Sequence, residues 1–317
     1  MKNGVLFIFF SLSLSCAHIT TWDERAISLK YLNLDDKLET LAPTGDGWEL
    51  DIAFRHARLE LINEEVKRDR PDVVNLLGLS IKSASPAQSD IAVLSSGDLG
   101  EYEWLASQTS KGAGQAEKIV AASAAALPVV LDQAKTLSVQ ERWLIGDDGF
   151  AVASYMTNSS SPFVILNVRM PSRIDVLKRG YELLEQALLS ASSLFEVCIG
   201  RIVIAGFLPQ DSILNTDQNF LKRVSFKDSA TGLCERTKDC STSNAENELG
   251  MSLYGNTLGQ RDERLFFHAT AVVTSAQPAF NEGSIAVAKE FPEYGFEAVH
   301  PSTRYGWETK FYLPKCD

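Results

Sequence analysis

Residues 58–79, RLELINEEVKRDRPDVVNLLGL, constrain the fold more than any other stretch. Leu59, Ile62 and Val66 recur at intervals of three and four, with Leu61 widening the stripe, which is the period of an amphipathic helix. Glu60, Glu64, Glu65 and Lys67 are then expected to face water. Pro71 stops the helix, because the residue before a proline is pushed out of the α region. Val73, Val74, Leu76, Leu77 and Leu79 form a nearly continuous apolar run, which reads as a strand buried on both faces. A helix feeding such a strand is an α/β unit, and its ligand site belongs at the carboxyl end of the strand. Here that end is Leu77-Gly78, which offers no side chain for chemistry.

The flanking pattern extends the unit into a larger α/β body. Residues 27–34 alternate as a first strand, and the amphipathic helix starts near Asp51. Residues 91–94 and 102–106 read as short strands or the approaches to strands. An alanine-rich helix is expected over 115–126, after Gly112-Ala113-Gly114. Residues 149–155 and 163–168 read as a hairpin around the turn residues 158–161. A second amphipathic helix covers 174–189, and RIVIAG at 201–206 is another buried strand. Residues 210–258 look irregular, and strands return at 265–274 and 307–313. Alternating helices and strands followed by hairpins predict a mixed α/β sandwich in one domain, residues 17–317.

Charge narrows the function classes. With 30 Lys and Arg against 41 Asp and Glu, the net charge is −11, which disfavours sequence-independent binding to nucleic acid. Residues 1–16 have a basic start at Lys2, an apolar run over 5–10 and small residues before Cys16, the pattern of a signal peptide. Two processing outcomes fit. Ser15 and Ala17 suit an ordinary cleavage site, whereas Ser13-Leu14-Ser15-Cys16 resembles a bacterial lipoprotein box with Cys16 as the lipidated residue. The box departs from its usual form, since Ser13 stands where a leucine is expected. The lipoprotein form is the preferred expectation; either way the protein is exported, to the periplasm or outer membrane of a bacterial envelope.

Cys198, Cys234, Cys240 and Cys316 remain, an even number compatible with two disulfides in any of three pairings, or with buried free thiols. None of their spacings is that of a zinc site, and His18, His56, His268 and His300 are scattered. Asp147-Asp148-Gly149 reads as a turn, His56 as a solvated or capping residue, and Trp22, Trp48 and Trp307 as packing.

The order of these pieces resembles the endonuclease/exonuclease/phosphatase superfamily, and within it the neutral sphingomyelinase-like branch. The resemblance rests on YLNL ending the first strand with Asn33, the helix and strand of 58–79, GEYEW at Gly100, VILNVRM at Val164 and RIVIAG at Arg201. It continues through LCERTKDCSTSN, RDERLFF at Arg261 and HPSTRYGWETKFYL at His300. It implies a four-layer α/β/β/α sandwich and hydrolysis of phosphoester bonds with a divalent metal, usually magnesium. That chemistry needs a carboxylate on the metal, an aspartate–histidine pair for proton transfer, and an asparagine and a histidine on the phosphate.

Carried over residue by residue, the family's catalytic positions are largely replaced. The metal-binding glutamate falls on Gly78 and the histidine after the VILN strand on Arg169. The Asp-x-Asn pair falls on Phe207 and Pro209, the late aspartate on Glu263, and the closing Asp-His on Thr303 and Arg304. Asn33 survives, with Glu263 a conservative replacement. Too few oxygen ligands remain for a hard cation, and an arginine at 304 stays protonated and cannot activate water. The resemblance therefore implies a pseudoenzyme: no intact catalytic set, no metal and no cofactor.

Two histidines have become arginines, which suit phosphate, sulfate or carboxylate. Asn33, Arg169 and Arg304 are the expected anion-binding groups, unless Glu263, Asp262 or Asp211 pairs with the arginines. The expected function is a lipid-anchored binding module whose partner is an anionic small molecule or an envelope protein. One alternative is a sphingomyelinase- or nuclease-like hydrolase with relocated groups (Glu263, Asp211, Asp262, Glu101), the case that needs magnesium. Another is an envelope protein presenting only a surface. The family topology also implies the disulfides Cys198–Cys316 and Cys234–Cys240.

Overall fold

The structure, a computed structural model, describes residues 21–34, 41–44, 47–50, 52–77, 90–104, 127–131, 140–145, 149–156, 162–171, 174–209, 216–230, 247, 263–302 and 305–316. Its described strands form two sheets of six. The first runs β13 (Val272–Ala279), β14 (Gly306–Tyr312), β1 (Ile27–Asn33), β4 (Val73–Leu77), β6 (Leu127–Leu131) and β5 (Tyr102–Trp104) across its width. The second runs β11 (Phe226–Asp228), β12 (Glu263–His268), β10 (Ile202–Phe207), β9 (Phe163–Arg169), β8 (Gly149–Met156) and β7 (Gln140–Ile145). A separate ribbon pairs β2 (Leu41–Thr44) with β3 (Gly47–Leu50).

Strand alternation decides what each layer buries. On β1, Leu29 and Tyr31 point between the sheets, where they pack with Ile165, Val203, Leu265, Trp307 and Phe311. Leu32 points the other way, onto Leu59, Ile62 and Val66 of α1 (Ile52–Asp69) and Leu94 of α2 (Asp90–Ser96). On β9, Val164, Leu166 and Val168 pack under α3 (Ile174–Leu194) and α4 (Thr216–Val224), through Leu184, Leu188, Phe220 and Val224. The order helix, sheet, sheet, helix is the four-layer sandwich. A short α5 (Ile285–Glu290) joins a smaller cluster with Phe54 and Tyr294.

Some buried polar side chains tie one layer of this sandwich to the next. Lys30, 1% exposed, puts Nζ on Oε1 of Glu65 at 2.5 Å and also bonds Asp69, so α1 is fastened to β1 by charge as well as by apolar packing. Between the sheets, Asn75 Nδ2 donates to Asn167 Oδ1 at 2.6 Å, both side chains fully buried.

Several expectations need correction. Residues 90–96 are helical rather than a short strand, because Asp90 at the first turn is bonded by Arg55 and Leu94 packs on α1. Residues 210–258 are not irregular throughout, since α4 and β11 lie within them. The strand expected over 265–274 is two strands joined at residues 269–271. Glu65 does not face water: Lys30 and the backbone N–H of Phe280 hold it in a buried position. The helix expected over 115–126 lies outside the described residues, as do Cys16, Cys234 and Cys240.

Candidate functional site

Strand direction brings the sequence-derived site positions to one edge of the sandwich. β1 and β4 are parallel with Asn33 opposite Leu77; Gly78 lies outside the described residues. β9 and β10 are parallel with Arg169 opposite Phe207. β12 is antiparallel to β10 and starts there, with Glu263 opposite Phe207. β14 is antiparallel to β1 with Trp307 opposite Tyr31; Thr303 and Arg304 lie outside the described residues.

Glu263 is the centre of this edge. It is fully buried, and its carboxylate accepts from Tyr31 Oη at 2.5 Å and from Asn33 Nδ2 at 2.9 Å. Trp307 Nε1 donates to its backbone carbonyl at 2.6 Å. Asn33 and Tyr31 are two residues apart on one strand, so alternation aims both at the facing sheet. Sequence reasoning reached Asn33 and Glu263 but missed Tyr31 and Trp307. The two-residue spacing from Asn33 was the available signal for Tyr31.

The backbone around these side chains is pinned from behind. Ser302 Oγ donates to Asn33 O at 2.6 Å, and Asn247 Nδ2 donates to Ser302 O at 2.8 Å. Arg58 donates to Pro301 O through Nε and Nη2 at 3.2 and 2.9 Å. Burial, together with the neighbouring Arg55, pulls the Arg58 guanidinium down to about 9, so it remains charged at neutral pH. On the other side, Tyr181 Oη donates to Pro209 O at 3.3 Å, and Arg264 Nη1 reaches Leu208 O at 3.4 Å. Arg264 also bonds Asp217 and Asp228, each at 2.9 Å. Burial lowers its affinity for a proton, yet these carboxylates outweigh that effect and hold its pKa above the ordinary value.

Of the carried-over family positions that are described (Asn33, Arg169, Phe207, Pro209 and Glu263), Glu263 alone bears a carboxylate. The Glu263 oxygens serve Tyr31 and Asn33, Phe207 is a hydrocarbon, and Pro209 has no polar side-chain atom. Among the described residues, no three His, Cys, Asp or Glu side chains converge as a metal site would require. Arg169 stands half-buried at the end of β9.

Solved structures share this fold. An endonuclease/exonuclease/phosphatase family protein from Bacteroides thetaiotaomicron superposes with a TM-score of 0.61 at 12% identity, covering 91% of this chain and 98% of its own. The chain has the endonuclease/exonuclease/phosphatase fold. A mannosyl-6-phosphatase from the same organism gives 0.60 at 11% identity, covering 90% of this chain and 99% of its own. Truncated TDP2 from Caenorhabditis elegans gives 0.59 at 11% identity, over 90% and 97%. No family model and no curated protein sequence matches the chain.

At the opposite edge, Cys198 and Cys316 form a disulfide with Cα atoms 5.8 Å apart, the pairing that the family topology implied. The other implied pair, Cys234–Cys240, lies outside the described residues. His300 is buried beside Tyr305, and Trp307 is buried packing as expected, although its indole N–H is also spent on Glu263. Trp22 is instead 44% exposed.

Proposed function

We propose that this chain is an exported, lipid-anchored binding protein that keeps the phosphodiesterase fold and has lost its hydrolytic chemistry. One observation carries the reading: the acid remaining at the described edge, Glu263, is fully buried and engaged by Tyr31 and Asn33. A carboxylate so placed serves to join the two sheets and is poorly placed to bind a cation or to take a proton from water. Across the register from Phe207, where the family carries an acid, stands Arg169. The edge has thus exchanged groups that hold a cation for groups that hold an anion.

The ligand in this reading is a phosphate-type anion bound by Arg169 and Arg304 together with Asn33, which its bond to Glu263 orients. A neighbour named for a sugar phosphate supports that ligand class. Relationship by descent to this superfamily, and to its sphingomyelinase-like branch in particular, is part of the same proposal.

Calorimetric titration with phosphate and with phosphocholine tests it, using the wild type, Arg169→Ala and Arg304→Ala. Binding heat in the wild type that both variants lose is the expected result, and an absence of heat in the wild type ends the anion reading. Magnesium-dependent cleavage of bis-p-nitrophenyl phosphate would overturn the non-catalytic reading and favour relocated groups.

A further inference from the structure

The strands that finish at Asn33 and Phe207 begin at the far edge, and the two described ends of the chain meet there. Trp22 bridges to Pro314, Asp23 N–H donates to Leu313 O at 2.9 Å, and Lys315 N–H donates to Thr21 O at 2.8 Å. Arg201, buried, clamps the junction. It bonds Asp23 Oδ2 at 2.8 Å, and donates to Pro314 O and Pro162 O at 2.6 Å each. The Cys198–Cys316 disulfide closes the same corner. Residue 21 is therefore fixed to the folded body at this edge.

Apolar side chains face water here. Trp22 is 44% exposed, Leu194 53% and Val272 37%. Leu194 ends α3 four residues before Cys198, and Val272 opens β13 beside the turn that Trp22 touches. Trp22 Nε1 donates to Thr270 O at 2.7 Å, so its one polar group is satisfied while its ring stays wet. An indole in that condition suits the water–lipid boundary, where aromatic rings concentrate. Lys315 and Glu196 line a pocket of about 340 Å³ at this corner and offset each other in charge.

We propose that this disulfide edge rests on a lipid bilayer, with Trp22, Leu194 and Val272 entering the interfacial layer. The occupant is identified by the chain that precedes it. Cys16 stands five residues before Thr21, and five extended residues span at most about 17 Å. That part rests on the lipid-anchor reading given above. The candidate anion site lies at the other end of β1, six residue steps or about 20 Å further from the bilayer. The site thus opens away from the leaflet that holds the protein, and its ligand arrives from the surrounding solution. Because the local charges offset each other, zwitterionic lipid is sufficient.

Full-chain protein and its Trp22→Phe variant are added to phosphatidylcholine vesicles carrying brominated acyl chains, which quench nearby indoles. Trp22 is one of five tryptophans, so the wild type should lose up to about one fifth of its emission. Trp22→Phe should lose none, and Leu194→Ser with Val272→Ser should reduce the wild-type loss. Unchanged circular dichroism establishes that the variants fold. Equal quenching of wild type and Trp22→Phe, or no quenching of either, overturns the proposed surface. Intact mass of Cys16 recovered from membranes reads the anchor separately. Trp22-dependent quenching supports the surface whether or not Cys16 is acylated, and an unmodified Cys16 ends only the anchor reading.

Discussion

Tyr31 donates its phenolic hydroxyl to Oε2 of Glu263 across 2.5 Å, joining β1 of one sheet to β12 of the other. Removing that hydroxyl leaves a fully buried carboxylate short of a donor. Tyr31→Phe is therefore expected to cost about 1–3 kcal/mol of stability. Urea denaturation should show a lower midpoint with an unchanged slope. Glu263→Gln in the Tyr31→Phe background should cost less than it does in the wild type, and strict additivity would show that the two side chains are not coupled.

Arg264 is buried between Asp217 and Asp228 and lies over the Phe266 ring at 4.6 Å. Arg264→Leu strands two buried carboxylates, a loss of about 3–5 kcal/mol. Adding Asp217→Asn and Asp228→Asn removes the stranded charges, so the triple variant should melt above the single one. A triple variant that melts lower would mean that the carboxylates stabilise the fold through other bonds, such as the one Asp228 Oδ1 accepts from Ala230 N–H.

His268 is half-buried, and burial holds its pKa below the ordinary imidazole value. The unfolded chain, with an unperturbed imidazole near 6.5, then binds a proton before the folded one does. The stability associated with His268 is thus fully present above about pH 6.5 and declines as the pH falls towards the folded pKa. Unfolding midpoints measured from pH 7.5 to 5 should drop in the wild type, and His268→Gln should flatten that part of the profile. A parallel drop in both proteins would assign it to other groups.

Gly206 lies one residue before Phe207 with φ at +146°, and a Cβ there would stand 1.8 Å from Val168 O on β9. Alanine would be strained and would push β9 from β10 next to Arg169. Gly206→Ala should lower stability by about 3 kcal/mol or more. The melting temperature reads this directly, and a variant within a degree of wild type would exclude the close approach.

Some of this was legible in the sequence because local pattern and tertiary role agree. The apolar stripe of α1, the saturated β4 and the antiparallel pairing of β8 with β9 each depend on neighbours a few residues away. Strand direction, once the fold was suggested, placed Cys198 and Cys316 at one edge. Glu65 was misread because its partner Lys30 comes from a strand 35 positions earlier, beyond any local window. The Asp90–Ser96 helix was missed because seven residues give too short a period, and its position is decided by Arg55. At the candidate site, the motif order suggested which residues to seek at the edge, while the tie from Tyr31 to Glu263 needed the facing sheet.

The Asn75–Asn167 bond sits amid hydrocarbon between the two sheets. Asn75 Oδ1 and Asn167 Nδ2 have no further partner among the described residues. Had either sheet slid by one residue along its strands, each amide would face Leu, Val or Ile and lose its mate, at a cost of about 1–3 kcal/mol per orphaned group. Apolar faces alone would tolerate that slippage far better. The pair therefore works as a locating pin. It fixes how the sheets mate, and with that the alignment that lets Tyr31 and Asn33 meet Glu263 at the rim.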